Sequence, residues 1–233
     1  MISVKTTERS LGILENKNSG KVTASFLNTY ASPKPITLCP SLRVHQADDI
    51  FALWEAWENR IGEISPPPFW AVVWPAAAVS CAYISENPSL VRGKTVLDCG
   101  CGGGSVAIAA SRCGAARTIA NDIDPVALRV AAYNASLNDV SLEMVDADLT
   151  QACTGIRFDI VFAADMFYEK GPSRRMMQWF EKMRMDGTRI IVSDGGRNFA
   201  PETGFYCLQS REVAVDSRTE GSSRRIVRLL AMK

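Results

Sequence analysis

Residues 96–104 read VLDCGCGGG and form the most specific signal in the chain. A short apolar run over 95–97 leads into Asp98, and Gly100, Gly102 and Gly104 follow. We predict a buried strand here and a helix after the glycines, because glycine allows positive φ angles and a close approach of the backbone to a ligand. A strand, a glycine-rich turn and a helix in this order are typical of the ligand-binding edge of an α/β sheet.

The spacing of these glycines indicates the kind of ligand that the turn holds. The pattern is GxGxG, whereas dinucleotide-binding enzymes carry GxGxxG, so a nicotinamide-dependent dehydrogenase is a disfavoured alternative. The early third glycine leaves room for an amino-acid tail and provides no cradle for a pyrophosphate. Asp98, just before the turn, suits a ligand that carries a positive ammonium group. The turn therefore favours a ligand with an amino-acid tail and no phosphate.

Two further acids close the next two predicted strands. Asp122 ends the strand over 117–121, where a carboxylate can accept two hydrogen bonds from a ribose diol. Asp146 follows the strand over 142–145, and a carboxylate there can receive the amino group of an adenine. Ligands of open α/β sheets bind at the carboxyl ends of the strands, so the three acids should share one site. Together with the glycine spacing, they predict that the cofactor is S-adenosylmethionine.

Strands and helices alternate through the second half of the chain. This order predicts βαβ units and a doubly wound, Rossmann-like α/β fold with a seven-stranded mixed sheet that ends in an antiparallel hairpin. The predicted strands cover 95–97, 117–121, 142–145, 159–163, 189–192, 205–215 and 224–231, and the predicted helices cover about 76–87, 104–113, 124–137 and 173–184.

The first 65 residues are harder to interpret. Prolines and polar residues break the apolar stretches up to about residue 47, and an amphipathic helix over 48–61 follows, with Asp48 or Asp49 as its N-cap. The prolines at 66–68 mark a boundary. We therefore predict a loose or partly stranded N-terminal extension with one helix over 1–65 and a catalytic domain over 66–233.

Composition excludes several functional classes. The chain has 233 residues with 26 basic and 25 acidic side chains, and a net charge of +1 provides no electrostatic basis for binding nucleic acid or an anionic membrane. No apolar run reaches the ~18 residues of a transmembrane helix. The polar first 21 residues resemble neither a secretory signal nor a transit peptide. We expect a cytoplasmic monomer.

The cysteines and the single histidine point away from metal chemistry. Seven cysteines include no CxxC pair, and His45 has no cluster of ligand residues around it in sequence. We expect free thiols in a reducing compartment and no metal site.

Several stretches resemble a known family. Over about 66–233 the chain is similar to class I (seven-β-strand) S-adenosylmethionine-dependent methyltransferases. Within that class it resembles the lysine methyltransferases that act on the β subunit of electron transfer flavoprotein. The resemblance rests on residues 67–71 (PPFWA), 74–75 (WP), 121–125 (NDIDP), 165–168 (DMFY) and 194–197 (DGGR), where the family commonly has proline at Gly195.

The resemblance implies a protein-lysine methyltransferase whose partner is that β subunit. Asp165 and Tyr168, after the fourth strand, are then the catalytic residues that shape the channel for the target lysine. Asp165 would orient the amine, and Tyr168, Phe167 and Trp70 would form aromatic walls that hold a methylated ammonium. Trp74, just before a helix near the glycine turn, is expected to pack against the cofactor.

Three alternatives remain at this stage. A methyltransferase of the same fold could act on a lysine of a ribosomal protein or on a small nitrogen-containing molecule. A third, less favoured possibility is a module that binds the cofactor without catalysis. The chain lacks the Asn/Asp-Pro-Pro-Tyr tetrapeptide, which argues against the glutamine and nucleobase amino methyltransferases that use it.

Overall fold

The computed structural model describes residues 5–6, 18–152 and 155–233. Its strands are β1 (Lys5–Thr6), β2 (Pro33–Ile36), β3 (Cys39–His45), β4 (Thr95–Cys99), β5 (Arg117–Asp122), β6 (Glu143–Asp146), β7 (Ile160–Ala164), β8 (Arg189–Asp194), β9 (Phe205–Ala214) and β10 (Arg224–Met232). Its α-helices are α1 (Ala24–Tyr30), α2 (Ile50–Ile61), α3 (Pro75–Glu86), α4 (Ser105–Arg112), α5 (Pro125–Leu137), α6 (Lys170–Met185) and α7 (Ser217–Glu220).

The main sheet has the strand order β1-β6-β5-β4-β7-β8-β10-β9. Strands β6, β5, β4, β7 and β8 are mutually parallel, and β10 joins β8 in the antiparallel sense with β9 at the edge. All seven predicted strands are present, which confirms the Rossmann-like mixed sheet and its C-terminal hairpin. An eighth strand, β1, has only two residues and pairs antiparallel with β6.

Alternate side chains of the central strands feed two separate cores. Val96 of β4 packs with α3, α4 and α5 on one face, and the next residue, Leu97, packs with α6 on the other. This is the expected consequence of a parallel sheet that is covered by helices on both faces. Because helices cover both faces of the sheet, a ligand cannot reach the faces. Ligands of such sheets bind instead at the carboxyl ends of the strands, where polar side chains and loops are accessible.

The N-terminal segment is more ordered than the sequence indicated. Residues 18–65 contain helix α1 and the β2–β3 hairpin in addition to the predicted helix α2, whose N-cap is Asp49. The β2–β3 hairpin agrees with the expectation of a partly stranded extension, whereas helix α1 was not predicted. Helix α1 has only seven residues and begins at Thr23, whose hydroxyl accepts the N–H of Phe26, so its apolar period is too short to recognise.

The N-terminal segment and the sheet share a hydrophobic core. Leu27 of α1 and Leu53 and Trp57 of α2 lie in one buried cluster with Val126 and Val130 of α5. The boundary at 65/66 thus divides stretches of chain whose apolar side chains pack together. None of the helices that the structure describes combines the length and apolar character needed to cross a membrane.

Candidate active site

The glycine turn connects β4 to α4 and makes close contacts on two sides. Gly100 and Gly104 have φ angles of +67° and +79°, which other residues rarely adopt. A Cβ at Gly104 would lie 2.8 Å from the Cβ of Ala131 on α5, and one at Gly100 would collide with the Sδ of Met166. The glycines therefore allow the turn to pack tightly against α5 and against the segment that follows β7.

Asp98 lies at the carboxyl end of β4 beneath this turn. Its side chain is 2% exposed, and its Oδ2 accepts the N–H of Ala107 at 2.9 Å. Burial raises the pKa of Asp98 to about 7, and the nearby charge of Asp122 acts in the same direction. A cationic group placed against this carboxylate would offset the burial, so the residue suits the ammonium ligand inferred from the sequence.

Asp122 ends β5, the strand next to β4, and is tied to the same turn. Its Oδ2 accepts the N–H of Gly102 at 2.8 Å, and its Oδ1 accepts the N–H of Asp124 at 3.0 Å. Burial raises the pKa of Asp122 to about 6. Asp122 therefore fixes the conformation of the glycine turn as well as presenting a carboxylate at the strand end.

Asp146 is the exposed last residue of β6, where its Cα pairs with that of Asp122. The structure thus aligns all three predicted cofactor acids along one edge, on β4, β5 and β6. Asp124 is the N-cap of α5, and its side chain accepts the N–H of Val126 at 2.8 Å. The adenine contact of Asp146 stays a prediction.

Asp165 follows β7 in a conformation that side chains rarely adopt. Its φ is +62°, and its N–H donates to the carbonyl of Ser193 on β8 at 2.9 Å. The carboxylate forms a two-pronged ion pair with Arg197, in which Nε donates to Oδ1 at 2.7 Å and Nη2 donates to Oδ2. The hydrogen bonds to Asp165 raise the pKa of the Arg197 guanidinium above its usual value.

Arg197 also contacts the indole ring of Trp74. The guanidinium carbon lies 5.3 Å from the centre of the Trp74 ring, and Phe69 meets the same ring edge-on at 5.4 Å. Trp74 is the N-cap residue of α3, so a helix that begins here fixes its backbone. Asp165 and Trp74, which were predicted to serve the acceptor and the cofactor, thus both contact one arginine.

Tyr168 is exposed, with 56% of its surface accessible. The pKa of its phenol is raised, first by partial burial and then by the charges of Glu169, Asp122 and Asp165. The phenol therefore lies within electrostatic reach of both the cofactor-side acid Asp122 and the acceptor-side acid Asp165. Its position agrees with a residue at the mouth of the site, and its catalytic role stays a prediction.

The two other aromatic residues assigned to the channel wall do not line open space. Phe167 is fully buried with Val161 and Phe180 in the core beneath α6, and Trp70 is 5% exposed and meets Trp57 edge-on at 6.1 Å. The structure corrects both assignments. In each case the sequence neighbour, Phe69 or Tyr168, is the exposed ring, because successive residues of a tight turn point in different directions.

The sequence analysis gave no role to Arg197, Glu220 or Asp194, which all lie beside Asp165. The Oδ1 of Asp194 accepts the N–H groups of Gly196 and Arg197 at 2.6 Å and 2.9 Å, and burial raises its pKa. Its Oδ2 is buried without a hydrogen-bond partner among the described residues. The stretch 194–197 was already noted for its resemblance, and it is the one sequence signal that could have identified Arg197.

His45 has a structural role rather than a ligand's role. It is 4% exposed, and its Nδ1 lies 2.7 Å from the Oδ1 of Asn134 on α5. The same Oδ1 accepts the backbone N–H of His45 at 2.8 Å, and the Nδ2 of Asn134 donates to the carbonyl of Gly103 at 2.8 Å. Within the described part of the chain, no three His, Cys, Asp or Glu residues are grouped so as to hold a metal ion.

Comparison with known proteins gives one family model and several close relatives. The model of ribosomal protein L11 methyltransferase (PrmA) matches residues 79–193. The electron transfer flavoprotein β subunit lysine methyltransferase of Mus musculus is 36% identical over 163 residues, which cover 69% of this chain and 63% of the relative. The protein of the same name from Xenopus laevis is 32% identical over 202 residues, which cover 84% of this chain and 79% of the relative.

The chain spans less than two thirds of the mouse protein and 64% of the human one. Among solved structures, a putative RNA methyltransferase from Pyrococcus horikoshii matches with a TM-score of 0.52 at 19% identity, over 68% of this chain and 82% of that one. A putative methyltransferase in complex with SAH matches with a TM-score of 0.52 at 14% identity, over 68% and 50% of the two chains. These two similarities concern the fold alone. The length and identity of the Xenopus alignment show that the chain belongs to the electron transfer flavoprotein β subunit lysine methyltransferase family.

Proposed function

We propose that this protein transfers a methyl group from S-adenosylmethionine to a lysine of the β subunit of electron transfer flavoprotein. The observation that carries the proposal is the alignment with relatives of that name, which reaches 84% of this chain in the Xenopus protein. The aligned length includes the carboxyl edge of the sheet, where the conserved chemistry of a methyltransferase would have to reside. The site geometry supports the proposal on the cofactor side and on the acceptor side.

On the cofactor side, the residues present fit the expected molecule. Asp98 is a buried carboxylate with a pKa raised to about 7, and a buried acid of this kind is stabilised by a ligand's ammonium group. Asp122 and Asp146 end the next two strands and would accept hydrogen bonds from the ribose and the adenine. When bound, S-adenosylmethionine supplies a methyl group that is already activated as part of a sulfonium.

On the acceptor side, the protein has to hold a lysine amine and keep it neutral. The usual lysine pKa is ~10.4, and only the uncharged amine can attack a methyl group. A desolvated position lowers that pKa, and the exposed rings of Phe69 and Tyr168 can exclude water around the lysine stem. A carboxylate offers about four acceptor directions, so Asp165 can bind the amine while it holds Arg197.

The setting of the reaction is also a proposal. We infer that the protein acts as a monomer in the cytoplasm and binds neither nucleic acid nor membrane. The net charge of +1 supports this, as do the free thiols of the six described cysteines, which suit a reducing compartment.

The test combines purified protein, tritiated S-adenosylmethionine and purified electron transfer flavoprotein, with a whole-cell extract in a second tube. Two variants report on the two halves of the site: Asp98→Asn for the cofactor and Asp165→Asn for the acceptor. Asparagine is the right replacement at Asp165, because it tolerates the φ of +62° better than alanine does. Asp186→Asn, at the C-cap of α6 on the opposite edge of the sheet, is the matched control.

We expect label on the β subunit with the native protein and with Asp186→Asn. The label should fall by roughly a hundredfold with Asp165→Asn, since that variant loses the charge that orients the amine. If a protein of the extract is labelled and the flavoprotein is not, the purified protein is a methyltransferase with a different substrate. No label in either tube, with no binding of S-adenosylmethionine, would refute the enzyme itself.

A ribosomal protein is the second candidate substrate. The match of residues 79–193 to the ribosomal protein L11 methyltransferase model is the observation that favours it. Label on a ribosomal protein in the extract, with the flavoprotein unlabelled, would select this candidate.

A further inference from the structure

We infer that Arg197 is a positioning residue for methyl transfer, and that Glu220 in the turn of the C-terminal hairpin holds it in place. The inference rests on the proposed function and deepens it. It assigns part of the acceptor site to the hairpin turn at 216–223, which lies outside the segment that matches the family model.

Arg197 forms a partly shielded ion pair with Asp165. Its side chain is 25% exposed, and that of Asp165 is 8% exposed, so their ion pair is largely shielded from water. Two parallel N–H donors fix both the distance and the plane of the carboxylate, which a single point charge cannot do. The 5.3 Å approach of the guanidinium to Trp74 fixes the indole ring with the same group.

Glu220 lies beside Arg197 and forms a second ion pair with it. The Nη2 of Arg197 lies 3.3 Å from the Oε1 of Glu220, whose side chain is 4% exposed. Glu220 accepts a second hydrogen bond from the Nε of Arg225 on β10 at 3.0 Å, and the Nη2 of Arg225 donates to the Glu220 carbonyl at 2.7 Å. Charges thus alternate along Asp165, Arg197, Glu220 and Arg225, from the end of β7 to the last strand.

The backbone around Arg197 and Glu220 is also constrained. The N–H of Arg197 donates to the Oδ1 of Asp194 at 2.9 Å, so the turn after β8 aims the arginine at Asp165. Glu220 ends α7, a single turn that Asp216 caps at its start and Gly221 closes with a φ of +65°. Neither residue therefore depends on a flexible loop for its position.

The consequence for the reaction concerns the orientation of Asp165. The two-pronged contact with Arg197 fixes the plane of this buried carboxylate, so that its remaining acceptor directions can take an N–H bond from the target amine. Without the guanidinium, neither the plane of the Asp165 carboxylate nor the Trp74 ring would be held by this contact, and the carboxylate would lose its ability to orient the amine.

The experiment compares Arg197→Gln, Arg197→Lys and Glu220→Gln with the native protein. Glu212→Gln is the matched control, because Glu212 pairs with Arg224 on the same hairpin at 2.6 Å but on its exposed surface. Four quantities are measured: the Kd of S-adenosylmethionine, kcat and KM for the flavoprotein, and the ¹⁵N shift of the Trp74 indole, assigned with Trp74→Phe.

We expect the affinity for S-adenosylmethionine to stay within about twofold in Glu212→Gln and to change less than kcat in the other variants, because Asp98 and Asp122 remain intact and only the Trp74 contact is disturbed. The kcat of Arg197→Gln should fall by roughly a hundredfold with a smaller change in KM, because the carboxylate that orients the amine is no longer held in place. Arg197→Lys should restore part of the activity, because it keeps the charge but loses the two-pronged contact. Glu220→Gln should reduce kcat by about tenfold, and Glu212→Gln should leave it unchanged.

Two results would overturn the inference. One is a native kcat in Arg197→Gln, and the other is a loss of kcat that Arg197→Lys does not relieve. The indole shift separates this inference from the proposed function. This readout can be used even if the native protein methylates no flavoprotein. A Trp74 resonance that moves in Arg197→Gln and in Glu220→Gln, but not in Glu212→Gln, then supports the positioning role. A resonance that stays in place in all three variants refutes it.

Discussion

Asp98 shows how burial alone can make a single residue sensitive to its ligand. Its carboxylate accepts the N–H of Ala107 at 2.9 Å, yet burial still raises its pKa to about 7. A carboxyl with such a pKa changes its ionisation near neutral pH. If the cofactor's ammonium group binds here, as we propose, it favours the ionised form, so cofactor binding and deprotonation of Asp98 would be coupled.

The first prediction follows from the sign of this coupling. The ionised fraction of Asp98 rises from about a tenth at pH 6 to about half at pH 7, so the affinity for S-adenosylmethionine should rise about fivefold over that interval. Calorimetry in buffers of different ionisation enthalpy should detect proton release on binding. Asp98→Asn should bind weakly and lose this pH dependence, apart from the part due to Asp122, whose pKa is about 6. An affinity that is flat from pH 6 to 7 in the native protein would contradict the assignment of Asp98 to the ammonium.

At the scale of a single element, the glycine turn combines two separate constraints. Gly104 has a φ of +79°, and a Cβ there would lie 2.8 Å from Ala131. Gly62, the C-cap of α2, has a nearly equal φ of +78° but has open space around the same position. The pair therefore separates the effect of backbone conformation from the effect of packing.

The second prediction uses this pair. Gly62→Ala should lower the free energy of unfolding by about 1 kcal/mol, the cost of an alanine in the left-handed region. Gly104→Ala should lower it by about 2 to 4 kcal/mol, because the overpacking against α5 is added to that cost. Urea denaturation of both variants gives the comparison, and equal losses would mean that α5 shifts away without penalty.

The elements that the sequence predicted well are those with a long or repeated signal. The seven main strands and helices α3 to α6 were identified because buried parallel strands are apolar throughout and because helices alternate with them. Asp49 was one of the two residues predicted as the N-cap of α2, because a short polar side chain before an apolar helical period is typical of that position.

The remaining features depend on contacts between distant parts of the chain. Arg197 and Asp165 are 32 residues apart, and no local pattern indicates that their side chains meet. The orientation of Trp70 and Phe69 depends on a single turn of 3₁₀-helix, so neither periodicity nor hydrophobicity predicts which ring is buried. The order of residues 18–47 arises from packing on α5 rather than from their own propensities.

For the whole molecule, the shared core predicts that the N-terminal segment and the sheet unfold together. Trp57 of α2 is 3% exposed and meets the rings of Phe26 and Trp70. Phe51, at the start of the same helix, is 57% exposed and makes a suitable control. The two positions compare a large buried side chain with a large exposed one on a single element.

The third prediction is that Trp57→Ala lowers the free energy of unfolding by about 3 to 5 kcal/mol, whereas Phe51→Ala changes it by less than about 0.5 kcal/mol. The unfolding transitions followed by far-ultraviolet circular dichroism and by loss of cofactor binding should coincide in the native protein. A first transition that removes helical signal and leaves cofactor binding intact would instead indicate an N-terminal segment with a stability of its own.

The hydrogen bonds of Asn134 limit where this chain can be joined to a segment of another protein in a chimaera. Its side-chain amide accepts the main-chain N–H of His45 on β3 and donates to the carbonyl of Gly103 in the glycine turn. A grafted hairpin of different sequence can satisfy this amide only if it delivers a main-chain N–H to the same point. The favourable crossover for building chimaeras is therefore on the N-terminal side of β3, and not at the prolines over 66–68.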